Sequence, residues 1–583
     1  MARSPSPGRR WAATATALAL TLAAAGTAAV LSAAPAPADT GEGSASATLS
    51  GSLDPLGVNT AAWDGGFTDA AIAPALSAAH TGLVRYPGGS WADQYLWQSN
   101  SVSGQTQSVD FGAYAKQVDA VGGGQKLVTV DYGSDTPASA AAWVKQSQTS
   151  GEGVALWEVG NEEYGSWEVD DHANPHTASS YATNALSYMQ AMKAADPHAQ
   201  ICYDYAMDGD LAPGAGVSGW QDWNDTILQA DAADIDCADV HWYPINGTPT
   251  ESVQSIMQLV DRVPAAAAEV HTALSTYDPK AEFVVGETNM SNAANAWNEE
   301  PVGALFSAAN AMEWLANGAQ SIDWWDVHNY GSPTADFGMF SSGGNGEPSG
   351  DTPYPPYYGY LLASKLAVHG ATVGTLPLGT ADLYSYYSQL PDGSYAVMLV
   401  NAGSAATSVG TADLGITSAS ETSSSYSAAD PGGITSGTAS GSTISVPAQS
   451  VVVLSGATGA PPTSAPPTTA PPTTAPPTTP PGGSGCKASY AVSSDWGSGF
   501  TANVTVANTG SADTKSWKVS WSWPGNQAVL NMWNAVYSQS ATSVTAASQS
   551  YNADIPPGGS TSFGLQATYS GGNTAPTLSC TPG

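Results

Sequence analysis

A (β/α)8 TIM barrel of the α/β class, carrying an accessory β-sandwich and followed by a linker and a separate all-β domain, is the fold the sequence predicts. Three observations predict it. Apolar strand-like runs at 56–63, 82–89, 126–133, 156–163, 200–207, 238–244, 283–289 and 321–328 alternate with Ala-rich helical patterns such as 181–195, 252–274 and 305–316. Eight such alternations are the count of a closed parallel barrel. After a last helical pattern at 357–368, the chain turns to Ser, Thr, Gly and Val with period-two alternation, as in Tyr395-Ala396-Val397-Met398-Leu399-Val400, which reads as sheet. Beyond a repeated Ala-Pro-Pro-Thr-Thr segment, the pattern is strand throughout. The competing open doubly wound sheet finds no Gly-rich phosphate loop to support it.

In chain order, residues 1–38 read as an export signal. Arg3, Arg9 and Arg10 open it, an apolar core follows, and Ala36-Pro37-Ala38 supplies a small-x-small cleavage site. The Arg9-Arg10 pair leaves general and twin-arginine export both open. The barrel is expected over 45–371 and the accessory sandwich over 372–456, with 45–53 a candidate extra strand. The linker is expected over 457–485, extended in polyproline fashion, and the last domain over 486–583. No segment after the signal is apolar enough to cross a bilayer, so an extracellular, soluble mature chain is expected.

Composition narrows the partner. The 583 residues hold 14 Lys and Arg against 49 Asp and Glu, a net charge of −35. So few cations cannot neutralise a phosphate backbone or meet an anionic membrane, which excludes nucleic acid and membrane as partners. With 19 Trp and 25 Tyr in the same chain, a neutral, hydroxylated ring is the partner expected, and carbohydrate is such a partner. The four cysteines lack Cys-x-x-Cys spacing and fit an oxidising compartment. Cys486 and Cys580 bracket the last domain as a staple, leaving Cys202 and Cys237 for a second bridge.

In that last domain, Trp517, Val519, Trp521 and Trp523 share one face at period two and read as core of a sandwich. Trp496, Trp533 and Tyr551 instead sit among Gly, Asn and Ser, where an aromatic is either buried or a flat exposed platform. The terminal Cys pair, Trp496-Gly497-Ser498-Gly499-Phe500, Val504-Thr505-Val506-Ala507-Asn508-Thr509-Gly510, Trp533-Asn534 and Pro556-Pro557-Gly558-Gly559-Ser560 resemble a family 2 carbohydrate-binding module. That resemblance implies binding of crystalline cellulose through Trp496, Trp533 and Tyr551.

Barrels of this kind carry their chemistry where the strands end. The second expected strand ends in Arg85-Tyr86-Pro87-Gly88-Gly89, the fourth in Trp157-Glu158-Val159-Gly160-Asn161-Glu162-Glu163, and the sixth in His241-Trp242-Tyr243. The seventh ends in Gly286-Glu287-Thr288-Asn289 and the eighth in Trp324-Trp325-Asp326-Val327-His328. Two Glu on different strands are what glycosidic cleavage needs: one carboxyl protonates the leaving oxygen and the other attacks the anomeric carbon or activates water. A guanidinium and a phenol beside a carboxylate keep it ionised. Glu163 beside Glu162 is an alternative acid, and Glu158 a candidate barrel-interior carboxylate. Trp91, Trp324 and Trp325 are sugar platforms or barrel packing. His172, His176 and His328 form no recognised metal spacing, so no metal and no cofactor is expected.

Asn161-Glu162 on the fourth strand with Glu287 on the seventh resembles clan A of the retaining glycoside hydrolases. Arg85 to Gly89, then Tyr95 and Trp97, and Gly160 to Trp167 resemble the family 51 α-L-arabinofuranosidases within it. The resemblance implies Glu162 as acid/base and Glu287 as nucleophile, with Asn161 on a sugar hydroxyl and Arg85 and Tyr243 holding the nucleophile. His241 and Trp325 complete the expected substrate site. Gly286-Glu287-Thr288-Asn289 stands where that family usually shows Asp-Glu-Trp, which leaves the sugar open. The expected activity is that of a secreted, retaining, arabinofuranosidase-like hydrolase of plant cell-wall polysaccharide. An endo-β-1,4-glucanase or xylanase on the same frame is one alternative. A non-catalytic cellulose-binding protein is the alternative of another class.

Overall fold

The structure is a computed structural model, and it describes residues 45–582 except 250–251, 279, 330–334, 419, 462–484, 496–498, 511, 534, 550–552, 556–559 and 571. The expected export signal and residues 462–484 of the linker therefore lie outside the described residues.

Eight parallel strands close the predicted barrel: β1 (Leu56–Asn59), β2 (Thr81–Tyr86), β3 (Gln125–Val130), β4 (Leu156–Val159), β5 (Ile201–Tyr205), β6 (Cys237–Trp242), β7 (Glu282–Thr288) and β8 (Ile322–Trp324). Each is followed by a helix: α1 (Ile72–Ala78), α2 (Phe111–Ala120), α3 (Pro137–Ser150), α4 (Ala178–Ala195), α5 (Trp220–Asp231), α6 (Val263–Tyr277), α7 (Pro301–Ala316) and α8 (Pro355–Ala363). The helix starts are written in the sequence. Thr136 and Thr177 accept from the backbone N–H of Ser139 and Ser180, and Asp110 from that of Ala113, which satisfies donors the helix itself cannot. The single helix expected over 252–274 is three pieces, Val253–Met257, a tight turn Gln258–Arg262 and α6. Pro264 is the reason: it has no N–H to donate and so belongs in a first turn.

The two ends of the barrel differ in chemistry. Toward the strand starts, Leu53, Leu83, Leu127, Leu156, Cys202, Cys237 and Val284 form an apolar plug. Cys202 and Cys237, directly opposed on β5 and β6, are bridged there. Toward the strand ends, the interior carries Arg85, Thr129, Glu158, Asp204, Asp239 and Asp323, all fully buried.

The accessory region is a seven-stranded sheet in the order Ser46–Thr48, Thr372–Thr375, Leu383–Gln389, Tyr395–Asn401, Ser450–Ala457, Ser420–Ser427, Asp430–Ser440, with a separate pair Thr407–Gly410 and Thr443–Val446. Strand Tyr395–Asn401 shows how period two builds two layers. Ala396, Met398 and Val400 join the barrel's core, whereas Tyr395, Val397 and Leu399 pack with Val409, Ile444 and Val446 on the other side.

The C-terminal domain is two four-stranded sheets. The first runs Cys486–Asp495, Gly499–Asn508, Ser560–Thr568, Ala528–Trp533, and the second Val536–Ser540, Ser543–Ala547, Trp517–Ser522, Ser579–Pro582. Trp517, Val519, Trp521 and Trp523 lie buried between them with Phe500 and Phe563, and Cys486 is bridged to Cys580. Trp496 and Tyr551 lie outside the described residues, and Trp533 ends strand Ala528–Trp533. Among the described residues no helix is long and apolar enough to cross a membrane.

Candidate active site

The chain leaves the barrel strands through glycines that let backbone and rings come close. After β2, Gly89 has φ 51, and a Cβ there would meet the Trp325 ring at 2.8 Å. After β4, Gly160 has φ 82 and its Cβ would meet Glu163 Cγ at 2.7 Å. That turn delivers Glu162 to the mouth with φ 50, a left-handed backbone costing a non-glycine residue on the order of 1–3 kcal/mol. Two side-chain hydrogen bonds hold Glu162 there: Trp167 Nε1 donates to Oε2 at 2.7 Å, and His241 Nδ1 meets Oε1 at 2.9 Å.

Arg85 organises the other carboxyl. Its Nη1 donates to Glu287 Oε1 at 2.5 Å and to Asn59 Oδ1 at 3.0 Å, and its Nη2 to Asn161 Oδ1 at 2.9 Å. Its Nε and Nη2 grip Glu158 at 2.8 and 3.2 Å. Tyr243 OH donates to Glu287 Oε2 at 2.8 Å. Each oxygen of Glu287 thus receives a directed donor, one of them cationic. Burial works against the Arg85 charge, but Glu158, Glu287 and Asp239 outweigh it and push the guanidinium further above its usual range. A buried ion group of this kind stands only because every member is paired.

The surplus of acid is met by protons. Burial, then Glu158, hold Asp239 well above the ordinary carboxylate range despite His241 and Arg85, and burial lifts Asp204 and Asp323 each to about 8. Burial disfavours a charged His241, yet the neighbouring Glu287 and Glu162 raise it to about 10.

Glu162 and Glu287 face one cavity of about 630 Å³ at the mouth, together with Asn161, Tyr243, Trp167 and Trp325. One carboxylate oxygen of each Glu and a nitrogen of His241 lie within 4.8 Å of one another. Of the residues singled out in the sequence, Glu162, Glu287, Asn161, Tyr243 and Trp325 therefore reach the cavity. Arg85 and His241 stand behind the carboxyls, fully buried, and act on them instead of forming the wall. Glu163 is also fully buried; its backbone N–H donates to Asp204. Trp324 is core, its Nε1 donating to Phe337 O at 3.1 Å, whereas Trp91 is 40 % exposed.

Several site residues were not given a role by sequence. Asn59 closes β1 against Arg85, and Trp167 and Glu168 return to the mouth from the loop after β4. For Trp167 a signal existed, since it ends the Gly160 to Trp167 motif. Among the described residues, three groups of side chains are close enough to share a cation: Glu158, Asp239 and His241; Glu162, His241 and Glu287; and Glu163, Asp170 and His176. In the first two, Arg85 already holds Glu158 and Glu287.

This arrangement defines a barrel with two carboxyls side by side in one cavity at its mouth. Its fold is shared with solved structures. A family 51 α-L-arabinofuranosidase from Bifidobacterium longum superposes with a TM-score of 0.52 at 13 % identity, covering 70 % of this chain and 97 % of that one. A bifunctional glucanase-xylanase from a metagenome library gives 0.51 at 16 %, covering 72 % and 98 %. A 4-O-α-L-rhamnosyl-β-D-glucuronidase from Fusarium oxysporum 12S gives 0.51 at 13 %, covering 72 % and 99 %. At such identities the likeness is one of fold.

The C-terminal domain is placed by sequence: residues 486–583 match the family model described as a cellulose binding domain, and that domain belongs to this family. Curated relatives include Endoglucanase A of Thermobispora bispora, 43 % identical over 89 residues, and Exoglucanase A of Cellulomonas fimi, 42 % identical over 93. These matches cover 15 % and 16 % of this chain, and the chain spans 20 % and 11 % of the length of those relatives. Stretches of that length are too short to hold the barrel.

Proposed function

We propose that the protein is a retaining glycoside hydrolase of plant cell-wall polysaccharide, anchored to cellulose by its C-terminal domain. The observation that carries this reading is the pair Glu162 and Glu287, with carboxylate oxygens within 4.8 Å of each other in one cavity. Retaining enzymes hold their carboxyl groups about 5–5.5 Å apart, whereas inverting ones need roughly 6.5–9.5 Å to admit a water.

The surroundings divide the roles. Glu287, with the Arg85 cation and the Tyr243 hydroxyl on its two oxygens, is the nucleophile that forms the glycosyl-enzyme. Glu162, the more open carboxyl with a side chain 13 % exposed against 7 % for Glu287, is the acid/base. It meets His241 Nδ1 at 2.9 Å, and as the acid of the pair it carries a proton into the reaction. Glu162 gives that proton to the leaving oxygen and then takes one from the water that releases the sugar from Glu287. Asn161, pinned by Arg85, offers its amide to the sugar hydroxyl beside the reacting carbon. Export to the cell exterior, read from residues 1–38, supplies the oxidising compartment in which both disulfides form.

An α-L-arabinofuranoside is the substrate that the strand-end motifs favour. A β-1,4-glucan or xylan main chain is the second reading, favoured by the indole of Trp167, 53 % exposed beside the acid, as a platform for a further ring. The deciding experiment measures sugar release by the full-length protein and by Glu287→Ala from aryl arabinofuranoside, xyloside and glucoside, and from arabinoxylan, xyloglucan and cellulose. Release by the parent alone is the expected result. A parent inactive on all of them contradicts the enzyme reading, and equal release by both proteins contradicts the site.

A further inference from the structure

Glu168 has no part in the double displacement, yet it lines the same cavity. It is 6 % exposed. Its Oε1 accepts from Asn161 Nδ2 at 3.0 Å and from Ser90 Oγ at 2.7 Å. Its Oε2 is buried and has no hydrogen-bond partner among the described residues. Asn161 is thereby gripped at both ends of its amide, since its Oδ1 accepts from Arg85 Nη2. An amide nitrogen carries two hydrogens, and Glu168 takes one of them.

We propose that Glu168 is a positioning residue: it fixes the Asn161 amide so that the second Nδ2 hydrogen faces the sugar hydroxyl beside the reacting carbon. This rests on the glycosidase reading of the site. Charge decides the form in which Glu168 does so. The ionisable groups facing it are Asp93 from the loop after β2, Glu162, Glu163 and Tyr164 after β4, Asp204 on β5 and Glu287 on β7. Arg85 reaches it only through Asn161, and the nearest hydrogen-bond partner of His241 is Glu162. Burial first, and then Glu162, raise the Glu168 carboxyl to about 8, so it keeps its proton at neutral pH. Ionised, it adds a negative charge to the cavity that Glu162 and Glu287 share, which opposes the charge that develops on the leaving oxygen.

The test compares full-length parent, Glu168→Gln and Glu168→Ala in kcat/KM from about pH 5 to about pH 10. The substrate is whichever of the aryl arabinofuranoside, xyloside and glucoside the parent hydrolyses fastest. In the parent, kcat/KM falls above about pH 8. Glutamine, a permanently neutral mimic, removes that fall and rescues most of the activity that alanine loses, about 10²-fold at every pH for a misplaced substrate contact. Thermal midpoints give a readout without turnover. A carboxyl raised in the folded state loses its stabilising contribution as pH rises toward the folded value, so Glu168→Gln gains on the parent from acidic pH to about 8. An identical alkaline fall in parent and Glu168→Gln overturns the proposal, as does a Glu168→Gln as inactive as Glu287→Ala, which makes Glu168 part of the chemistry. A parent that hydrolyses none of the three glycosides overturns the glycosidase reading and the positioning role together; an active parent whose profile Glu168→Gln does not move overturns the positioning role alone.

Discussion

The interior of the barrel and the core of the C-terminal domain solve opposite problems. Between its two sheets the C-terminal domain packs Phe500, Trp517, Trp521, Trp523 and Phe563, and among the described residues its buried polar side chains are the uncharged Asn508, Thr514 and Gln527. The barrel interior instead buries Arg85, Glu158, Asp239 and His241 within one connected group, with Asp204 and Asp323 buried beside it. A largely apolar core holds its shape through area removed from water. A buried ionic core adds little net stability and collapses if one partner is removed. What it supplies is a fixed field at Glu162 and Glu287. One region is built to hold a surface in place and the other to hold charge in place.

That contrast can be broken in graded steps. Glu287→Gln carries the largest effect, a loss in kcat/KM on the order of 10⁴-fold or more for the proposed nucleophile, with retention on cellulose in a pull-down unchanged. Glu162→Gln follows, losing about 10²–10⁴-fold, the range of general acid catalysis. The loss is smaller for aryl glycosides whose leaving group departs without a proton, which initial rates across a leaving-group series measure. Arg85→Met costs about 3–5 kcal/mol in denaturant unfolding of the barrel, because Glu158 and Glu287 are left buried without their cation.

Leu565→Ala, in the apolar core, costs about 2–5 kcal/mol. Its loss appears in cellulose retention and in unfolding of the C-terminal domain, while hydrolysis of a soluble aryl glycoside is unchanged. The smallest effect is one of pH. Burial raises Asp323 to about 8 against its Ser321 hydrogen bond, so its stabilising contribution is full at acidic pH and lost as pH rises toward about 8. Asp323→Asn should therefore gain stability on the parent with rising pH across that window, read from midpoints in urea.

The barrel was legible because parallel strands buried on both faces read as continuous apolar runs, and all eight coincide with observed strands to within a few residues. That Glu162 and Glu287 meet at one cavity was legible because β4 and β7 end at the same mouth of the barrel, although no local spacing links them. Where a loop folds back, the sequence was silent. Nothing in periodicity says that Glu168 returns to meet Asn161, or that Asn59 at the end of β1 meets Arg85. The division of adjacent residues was equally hidden. Trp324 faces inward as core and Trp325 lines the cavity, a difference set by where β8 ends.

The most direct test of the two-carboxyl account is to trap the covalent intermediate. The full-length protein is incubated with an activated 2-fluoro-glycoside of the sugar that it releases, digested, and its peptides are weighed by mass spectrometry. A glycosyl adduct on Glu287, with retained anomeric configuration in the first product seen by NMR, is the predicted result. An adduct on another carboxyl, or a first product of inverted configuration, contradicts it.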